Sequence, residues 1–194
     1  MLTFNKDDKV ALLIVDMQND FVLEDGVLPA ENSLETIENI KFLSNLCRKN
    51  NIPVVYTQHV HRDDLSDFGI AHYFEPPSCL ESSDGKNIID QIAPQDGDLI
   101  ITNKRRYDAF IGTDLDMVLR GKGINSLIVV GVMTDACVMA TVHHARGLDY
   151  KVCIVSDACA GTTNENHEAA LRILGIFCAL PATTNETIEI FKLK

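Results

Sequence analysis

Short apolar runs alternate along the chain with longer segments in which apolar residues recur every three or four positions. The runs Val10–Val15 and 127–132 are rich in branched side chains and are bounded by a polar residue or a glycine, which is typical of buried parallel strands. The segment 33–50 carries apolar residues on one face, which indicates an amphipathic helix. The pattern predicts strands over 10–15, 52–57, 98–102, 127–132 and 151–156, a short sixth strand beginning at 182–184, and helices over 33–50, around 115–119, 134–147 and 164–179.

Alternating strands and helices indicate an α/β protein in which a parallel sheet lies between two layers of helices. The common doubly wound arrangement predicts a three-layer α/β/α fold with a six-stranded parallel sheet in the order 3-2-1-4-5-6. The 194 residues are enough for one domain with a sizeable core and few for two, so we predict a single domain over 1–194. The irregular segment 59–86 is long enough to serve as a lid or an oligomer contact.

The composition restricts the partners of the protein. The formal net charge is −11 and the basic residues form no long run, so we expect neither a nucleic-acid nor a membrane partner. The first residues lack the cationic start and apolar core of a signal peptide. The six cysteines include no C-x-x-C pair, which favours reduced thiols and a cytoplasmic location.

Three chemically reactive side chains follow predicted strands. Asp16 comes after the first strand, Lys104 after the third and Cys137 after the fourth. Ligands of doubly wound sheets bind beyond the carboxyl ends of the strands, where the strand order reverses. The first and fourth strands are neighbours at that point, so we expect Asp16 and Cys137 to face each other. Lys104 is two strands away from Asp16 and must reach inward along its side chain or its loop.

Cys137 is the candidate nucleophile among these residues. Thr134 is a favourable helix N-cap, which predicts that Cys137 lies in a first turn whose free N–H groups and dipole favour a thiolate. Asp16 would accept the thiol proton and return it to a leaving amine, and Lys104 would stabilise both negative charges. The spacing agrees equally well with a salt bridge between Asp16 and Lys104 beside an inert cysteine.

Three segments at these strand ends resemble the signature blocks of the isochorismatase-like cysteine hydrolases. They are 13–21 (LIVDMQNDF), 103–110 (NKRRYDAF) and 131–138 (GVMTDACV). This superfamily includes nicotinamidases, N-carbamoylsarcosine amidase and biuret hydrolase, and the resemblance covers nearly the whole chain, from about Val10 to Thr184. It implies the same six-stranded fold, a reaction without a cofactor, and a homodimer or homotetramer.

The resemblance also implies roles for particular residues. The catalytic triad falls on Asp16, Lys104 and Cys137. The backbone N–H groups of Met133 and Cys137 would form an oxyanion hole, next to a cis peptide bond between Val132 and Met133. A hydrolase of this kind attacks a carbonyl carbon with the thiolate, forms an acyl-enzyme and then hydrolyses it.

The expected substrate is a small amide that loses ammonia. Cys137 favours an amidase, because isochorismatases proper cleave a vinyl ether and often lack the cysteine. Nicotinamidases resemble one another in an Asp-x-His pair and a later His that hold a metal, whereas this chain has His59 in place of that Asp, followed by His61. The departure favours carbamoyl or ureido compounds and a site without a metal, although metal binding by His59, His61 and His72 stays open.

Six residues are predicted to contact this substrate. They are Gln18, Phe21, His59, His61, Tyr107 and Val132. The alternatives are a nicotinamidase-type or isochorismatase-type hydrolase, a thiol-redox protein, and a non-catalytic binding or assembly subunit of the same fold.

Overall fold

Six parallel strands form one sheet in the order β3-β2-β1-β4-β5-β6 in the computed structural model, which describes residues 2–194. This confirms the predicted α/β fold and strand order. The strands are β1 (Val10–Val15), β2 (Val54–His59), β3 (Leu99–Lys104), β4 (Ser126–Val132), β5 (Lys151–Ala160) and β6 (Leu180–Ala182). The helices are α1 (Asn19–Val22), α2 (Ser33–Lys49), α3 (Leu115–Gly121), α4 (Met139–Gly147), α5 (Asn164–Phe177) and α6 (Thr184–Phe191).

Two apolar cores lie on opposite faces of the sheet. Because successive side chains of a strand point to opposite faces, Leu13 and Val15 of β1 belong to one core, and Leu12 and Ile14 belong to the other. The first core packs against α3, α4 and α5, and the second packs against α2 and α6. Strands covered on both faces explain why the predicted runs were apolar throughout. No helix among residues 2–194 is long and apolar enough to cross a membrane.

Several predicted boundaries differ from the observed ones. The strand predicted over 52–57 extends instead to His59, and the strand predicted over 98–102 extends to Lys104. The sixth strand ends at Ala182, so the prediction that it begins at 182–184 was wrong. The residues after it form α6, which the hydrophobic pattern did not indicate.

The turn after β4 also differs from its prediction. Residues Thr134–Val138 form one π-helical turn before α4, and its N-cap is Met133 rather than Thr134. The Thr134 hydroxyl bonds instead to the ring of His167, with Oγ1 2.8 Å from Nδ1. Cys137 therefore lies in a widened turn, not in the first turn of an α-helix.

Gly131 allows β1 and β4 to approach closely at their carboxyl ends. It pairs with Val15 and has φ of +114°, a conformation that L side chains rarely adopt. A Cβ added at this position would lie 2.2 Å from the Val15 carbonyl oxygen. The glycine thus brings the residue after β1, Asp16, next to the turn that carries Cys137.

Candidate active site

Four buried polar side chains meet at the carboxyl ends of the central strands. Asp16 follows β1, His59 ends β2, Lys104 ends β3, and Cys137 lies in the turn after β4. His59 and Lys104 pair with each other across an irregular step in the register of β2 and β3. Lys104 is at the end of β3, two strands from β1, and its side chain extends past His59 to reach Asp16.

The Lys104 ammonium joins the other three side chains. Its Nζ lies 2.5 Å from Asp16 Oδ2, 3.0 Å from His59 Nδ1 and 3.4 Å from Cys137 Sγ. The Lys104 side chain has no exposed surface. Burial works against its charged form, but the Asp16 carboxylate, which bonds to the ammonium, raises the pKa of Lys104 nonetheless. The site therefore contains a permanent positive charge that belongs to the chain itself.

The Asp16 carboxylate is fixed from a second side by Thr57 of β2. The Thr57 hydroxyl donates to Asp16 Oδ1 at 2.5 Å, and the backbone N–H of Asp16 donates to Thr57 Oγ1 at 3.1 Å. Asp16 has φ of 48°, in the left-handed region that aspartate tolerates better than most residues. Thr57 was not among the predicted site residues, because its place in a buried strand does not show which group its hydroxyl bonds to.

Cys137 is buried beside these charges, and its burial favours the protonated thiol. Burial raises the pKa of the Cys137 thiol in spite of the nearby Lys104 ammonium. Cys137 therefore lacks the helix start that was expected to stabilise a thiolate, and a base beside the thiol would assist its ionisation. A carboxylate oxygen of Asp16 lies within 4.8 Å of the sulfur and can fill that role.

A cavity of about 440 Å³, which we call the candidate pocket, opens onto Cys137. Of the predicted substrate contacts, Phe21, His59 and Tyr107 line it. Gln18 and Val132 are fully buried outside its wall. The remaining wall residues are Val27, Leu28, Pro29, Phe74, Glu75, Ser78, Met133, Ala136 and Thr162.

Gln18 holds the backbone of His59 rather than lining the candidate pocket. Its Oε1 accepts from the His59 N–H, and its Nε2 donates to the His59 carbonyl, both at 2.7 Å. The same Nε2 also donates to the carbonyl of Lys86 at 2.8 Å. Gln18 thereby ties the end of β2 to the long segment that follows it.

His61 lies behind His59, against a second cavity of about 740 Å³ that we call the side cavity. The Nε2 atoms of the two histidines are 2.7 Å apart, and His61 Nδ1 is 3.2 Å from Asp67 Oδ1. Burial together with the Lys104 charge holds the pKa of His59 well below its ordinary value. Burial also lowers the pKa of His61, although Asp67 opposes this effect.

These histidines do not fit a zinc site. Two ligands of one tetrahedral zinc at about 2.0–2.1 Å would lie roughly 3.3 Å apart, whereas the two Nε2 atoms are in direct hydrogen-bond contact at 2.7 Å. Among residues 2–194, the one group of at least three candidate ligands is formed by Asp16, His59 and Cys137, and the Lys104 ammonium bonds to all three. His72 lies on an exposed turn, where its Nδ1 bonds to the Gly69 carbonyl.

The Val132–Met133 peptide bond is cis, as the resemblance implied. Met133 lines the candidate pocket, and its carbonyl accepts from the N–H groups of Ala136 and Val138 at 3.0 Å. The Met133 carbonyl is thus directed into the π-helical turn that carries Cys137.

Glu75 and Tyr107 are a polar pair at the wall of the candidate pocket. The Tyr107 hydroxyl donates to Glu75 Oε2 at 3.0 Å. Burial and the Glu75 carboxylate raise the pKa of Tyr107 to about 12, which keeps the hydroxyl protonated. Glu75 comes from the irregular segment after β2 and was not among the predicted site residues.

Comparisons with known proteins agree with this fold. The Isochorismatase domain model matches residues 10–186. An isochorismatase family protein of Bacillus subtilis (strain 168), YwoC, is 33% identical over 97% of this chain and 98% of its own length. An isochorismatase of the same organism is 33% identical over 94% of this chain, which spans 58% of that longer protein.

The chain is also similar in structure to a solved amidase. The pyrazinamidase/nicotinamidase of Streptococcus mutans superposes with a TM-score of 0.82 at 30% identity, covering 89% of this chain and 99% of that one. The region matched by the domain model contains all the strands and the four buried side chains described above. The chain belongs to the isochorismatase family and is an isochorismatase-like hydrolase.

Proposed function

We propose that this hydrolase cleaves the C–N bond of a small carbamoyl or ureido-type amide and releases ammonia. The observation that carries the proposal is the contact of one buried ammonium with both a carboxylate and a thiol at the candidate pocket. A carboxylate, an ammonium and a thiol are the groups that acyl transfer through a thioester requires. The cavity of about 440 Å³ suits a small molecule.

The first step forms the new carbon–sulfur bond. Asp16 takes the proton of the Cys137 thiol, and the resulting thiolate attacks the carbonyl carbon of the amide. Lys104 stays protonated and offsets the charge that moves from the carboxylate to the sulfur. The carbonyl oxygen becomes an oxyanion, which the backbone N–H groups of Met133 and Cys137 would stabilise; such donors are typically worth about 3 kcal/mol of barrier each.

The second half of the reaction restores the thiol. Protonated Asp16 gives its proton to the leaving nitrogen, so that the C–N bond breaks and ammonia departs from a thioester on Cys137. Asp16 then takes a proton from water, which attacks the thioester and expels the sulfur. The carboxyl proton returns to the sulfur, and the product is a carboxylic acid, or a carbamic acid if the substrate was a urea, which loses its remaining proton to solvent.

The wall of the candidate pocket favours substrates without negative charge. Among its described residues, Glu75 is the only one with a formal charge, and no Lys or Arg stands opposite it. Glu75 Oε2 accepts from Tyr107, which leaves Oε1 for the N–H groups of a urea. We expect neutral ureido compounds to be hydrolysed faster than N-carbamoyl amino acids or maleamate.

A flat aromatic amide is the second candidate substrate. Three aromatic side chains, Phe21, Phe74 and Tyr107, line the candidate pocket and could pack against a pyridine ring. The structure of the Streptococcus mutans pyrazinamidase/nicotinamidase is similar to this chain. Nicotinamide therefore belongs in any substrate panel, and the isochorismatase relative adds isochorismate.

An ammonia-release screen tests the proposal. The panel consists of biuret, N-carbamoyl amino acids, ureido acids, maleamate and nicotinamide, and the cleavage of isochorismate is measured alongside it. We expect Cys137→Ala to lower kcat by at least about 10⁴-fold, because the nucleophile has no substitute in the site. Cys178→Ser is the matched control, since this partly exposed cysteine lies at the end of α5 and outside the candidate pocket.

Two results would contradict the mechanism. Ammonia release that persists in Cys137→Ala would exclude the thioester. Cleavage of isochorismate without release of ammonia from any amide would assign the chain to the other branch of the family. A thiol-redox role would be favoured instead if peroxide oxidised Cys137 reversibly and no member of the panel were hydrolysed.

A further inference from the structure

We propose that His61 and Asp67 are positioning residues that fix the protonated nitrogen of His59 and, through it, the direction of the Lys104 ammonium. The inference rests on the proposed function, because it assigns Lys104 to the reaction. The hydrogen bonds run in one unbroken line from Lys104 through His59 and His61 to Asp67. Their directions follow from the donors and acceptors at the two ends.

At the Lys104 end, the ammonium determines which atoms donate and which accept. A lysine ammonium has three N–H donors and no acceptor, and here its three partners are Asp16 Oδ2, His59 Nδ1 and Cys137 Sγ. His59 Nδ1 must therefore accept, so it carries no proton. Because burial and Lys104 keep His59 neutral, its one ring proton is on Nε2.

Asp67 determines the same direction at the outer end. Its carboxylate is fixed by the Arg105 guanidinium, with Nε 2.6 Å from Oδ2, and by the N–H of Arg62, 3.1 Å from Oδ1. A carboxylate can only accept, so the Nδ1 of His61 donates to it and the Nε2 of His61 is bare. The proton on His59 Nε2 fits that bare nitrogen, and both ends require the same pair of tautomers.

The two rings are also held in place by their neighbours. Phe21 contacts His59 edge-on with ring centroids 6.0 Å apart, and Phe68 contacts His61 in the same manner at 4.7 Å. Gln18 holds the backbone of His59 through two hydrogen bonds. The rings therefore have little freedom to turn, so the pattern of donors and acceptors between them depends on which ring nitrogens carry the protons.

The opposite pair of tautomers would disturb the reacting groups. His59 would then present an N–H on Nδ1 to the ammonium, and two donors would face each other over 3.0 Å. Lys104 would lose one of its three acceptors and move away from the histidine. The contacts of Nζ with Asp16 and Cys137 would change, although neither Asp67 nor His61 lines the candidate pocket.

Asp67→Asn keeps the size of the side chain at position 67 and is expected to reverse the direction of the hydrogen bonds between Asp67 and Lys104. The introduced amide has one accepting oxygen, and Arg105 at 2.6 Å is the charged donor that this oxygen would face. The NH₂ group of the amide then takes the place of Oδ1, gives up the hydrogen bond from the Arg62 N–H, and points at His61 Nδ1, which must accept. His61 donates from Nε2, and His59 must place its proton on Nδ1, against Lys104.

Two-bond ¹⁵N–¹H spectra of the full chain, labelled with ¹⁵N-histidine, measure the tautomers directly. We expect protonated Nε2 in His59 and protonated Nδ1 in His61, and the reverse in Asp67→Asn. Asp63→Asn is the matched control, because Asp63 is in the same segment but bonds to Ser82 instead of a histidine. A proton on His59 Nδ1 in the unmodified protein, or unchanged tautomers in Asp67→Asn, would overturn the proposal.

Kinetics on the best amide of the panel test the consequence for Lys104. We expect Asp67→Asn to lower kcat by about 10- to 100-fold, as is typical when a group that orients an active-site residue is lost, with KM nearly unchanged. Equal kcat in Asp67→Asn and Asp63→Asn, with the tautomers reversed, would overturn the positioning role. If no amide were hydrolysed at all, the proposed function would fail while the spectra still decided the tautomers.

A second variant covers the case in which Asp67→Asn does not fold. His61→Ala removes the middle ring next to the side cavity of about 740 Å³, which can admit free imidazole. We expect imidazole to raise the kcat of His61→Ala at least about 10-fold. The kcat of His72→Ala should not change on addition of imidazole, because His72 takes no part in the hydrogen bonds between Lys104 and Asp67. Failure of imidazole to restore activity would contradict the proposal.

Discussion

The positive charge of Lys104 can be buried because each N–H donor of its ammonium has an acceptor. The ammonium is removed from solvent, yet each of its three N–H groups meets an oxygen, a nitrogen or a sulfur. Removing one member of a buried ion pair leaves the other charge without compensation, which costs more than the pair contributes. The residues of this site therefore depend on one another for stability as well as for chemistry.

Replacing Lys104 alone should destabilise the protein. We expect Lys104→Met to lower the free energy of unfolding by about 3–5 kcal/mol, because the buried Asp16 carboxylate loses its cation. The double variant Asp16→Asn with Lys104→Met should recover most of this loss, since the site then contains no charge pair. Urea unfolding at pH 7 measures both, and equal stability of the single and double variants would contradict the argument.

Asp16, Lys104 and Cys137 could be predicted from the sequence because each follows an apolar strand, and the structure brings them together. Thr57 and Asp67 could not, for different physical reasons. The Thr57 hydroxyl is one polar atom in a strand, and only the neighbouring strand shows what it bonds to. Asp67 lies in a segment without periodicity, where the chain folds back by contacts that are distant in sequence.

At the scale of elements, the strands were easier to predict than their ends. A run of buried β-branched residues identifies a strand, but the irregular pairing of β2 with β3 carries both strands to His59 and Lys104. The π-helical turn at Thr134–Val138 uses residues that are also common in an ordinary helix start. Helix α6 did have a signal that the hydrophobic pattern missed, a capping box of Thr183 and Glu186.

Gly131 offers a test of how β1 and β4 are joined. We expect Gly131→Ala to lower the free energy of unfolding by about 3 kcal/mol or more, because a methyl group would collide with the Val15 carbonyl and φ of +114° is unfavourable for alanine. The control is Gly121→Ala in α3, where nothing lies within 4 Å of the added carbon. Thermal unfolding of both variants checks this, and similar stabilities would contradict it.

At the scale of the whole molecule, the order of the six strands places the site at the centre of the sheet, between two separate cores. The sequence predicts this order because parallel strands joined by helices have few stable arrangements. The prediction of a homodimer or homotetramer stays a prediction. Ile70, Tyr73 and Phe74 are each at least 74% exposed, Ile70 and Phe74 line the side cavity, and a second copy could cover all three.

The buried histidines should make the stability of the molecule depend on pH. His59 and His61 are neutral in the folded state, with pKa values below 6.5, so the unfolded chain binds more protons than the folded one below about that pH. The free energy of unfolding should therefore decrease as the pH falls from 6.5. The slope is up to about 1.4 kcal/mol per pH unit for each such histidine. Above the same pH it should level off.

Urea unfolding at pH 5.5, 6.5 and 7.5 measures this dependence. His61→Gln should reduce the slope of the free energy of unfolding below pH 6.5 by up to about 1.4 kcal/mol per pH unit, the contribution of one bound proton. The control is His72→Gln on the exposed turn, which should leave the slope unchanged. A slope that is the same in His61→Gln as in the unmodified protein would show that other groups cause the dependence.

The position of Lys104 among an oxygen, a nitrogen and a sulfur also determines where the positive charge of the site comes from. A positive charge that is part of the chain is synthesised with it in a one-to-one ratio, and it neither dissociates on dilution nor competes with ions in the surroundings. It also cannot be exchanged for an ion of different acidity. Any adjustment of this charge during evolution must therefore occur in the residues that bond to it.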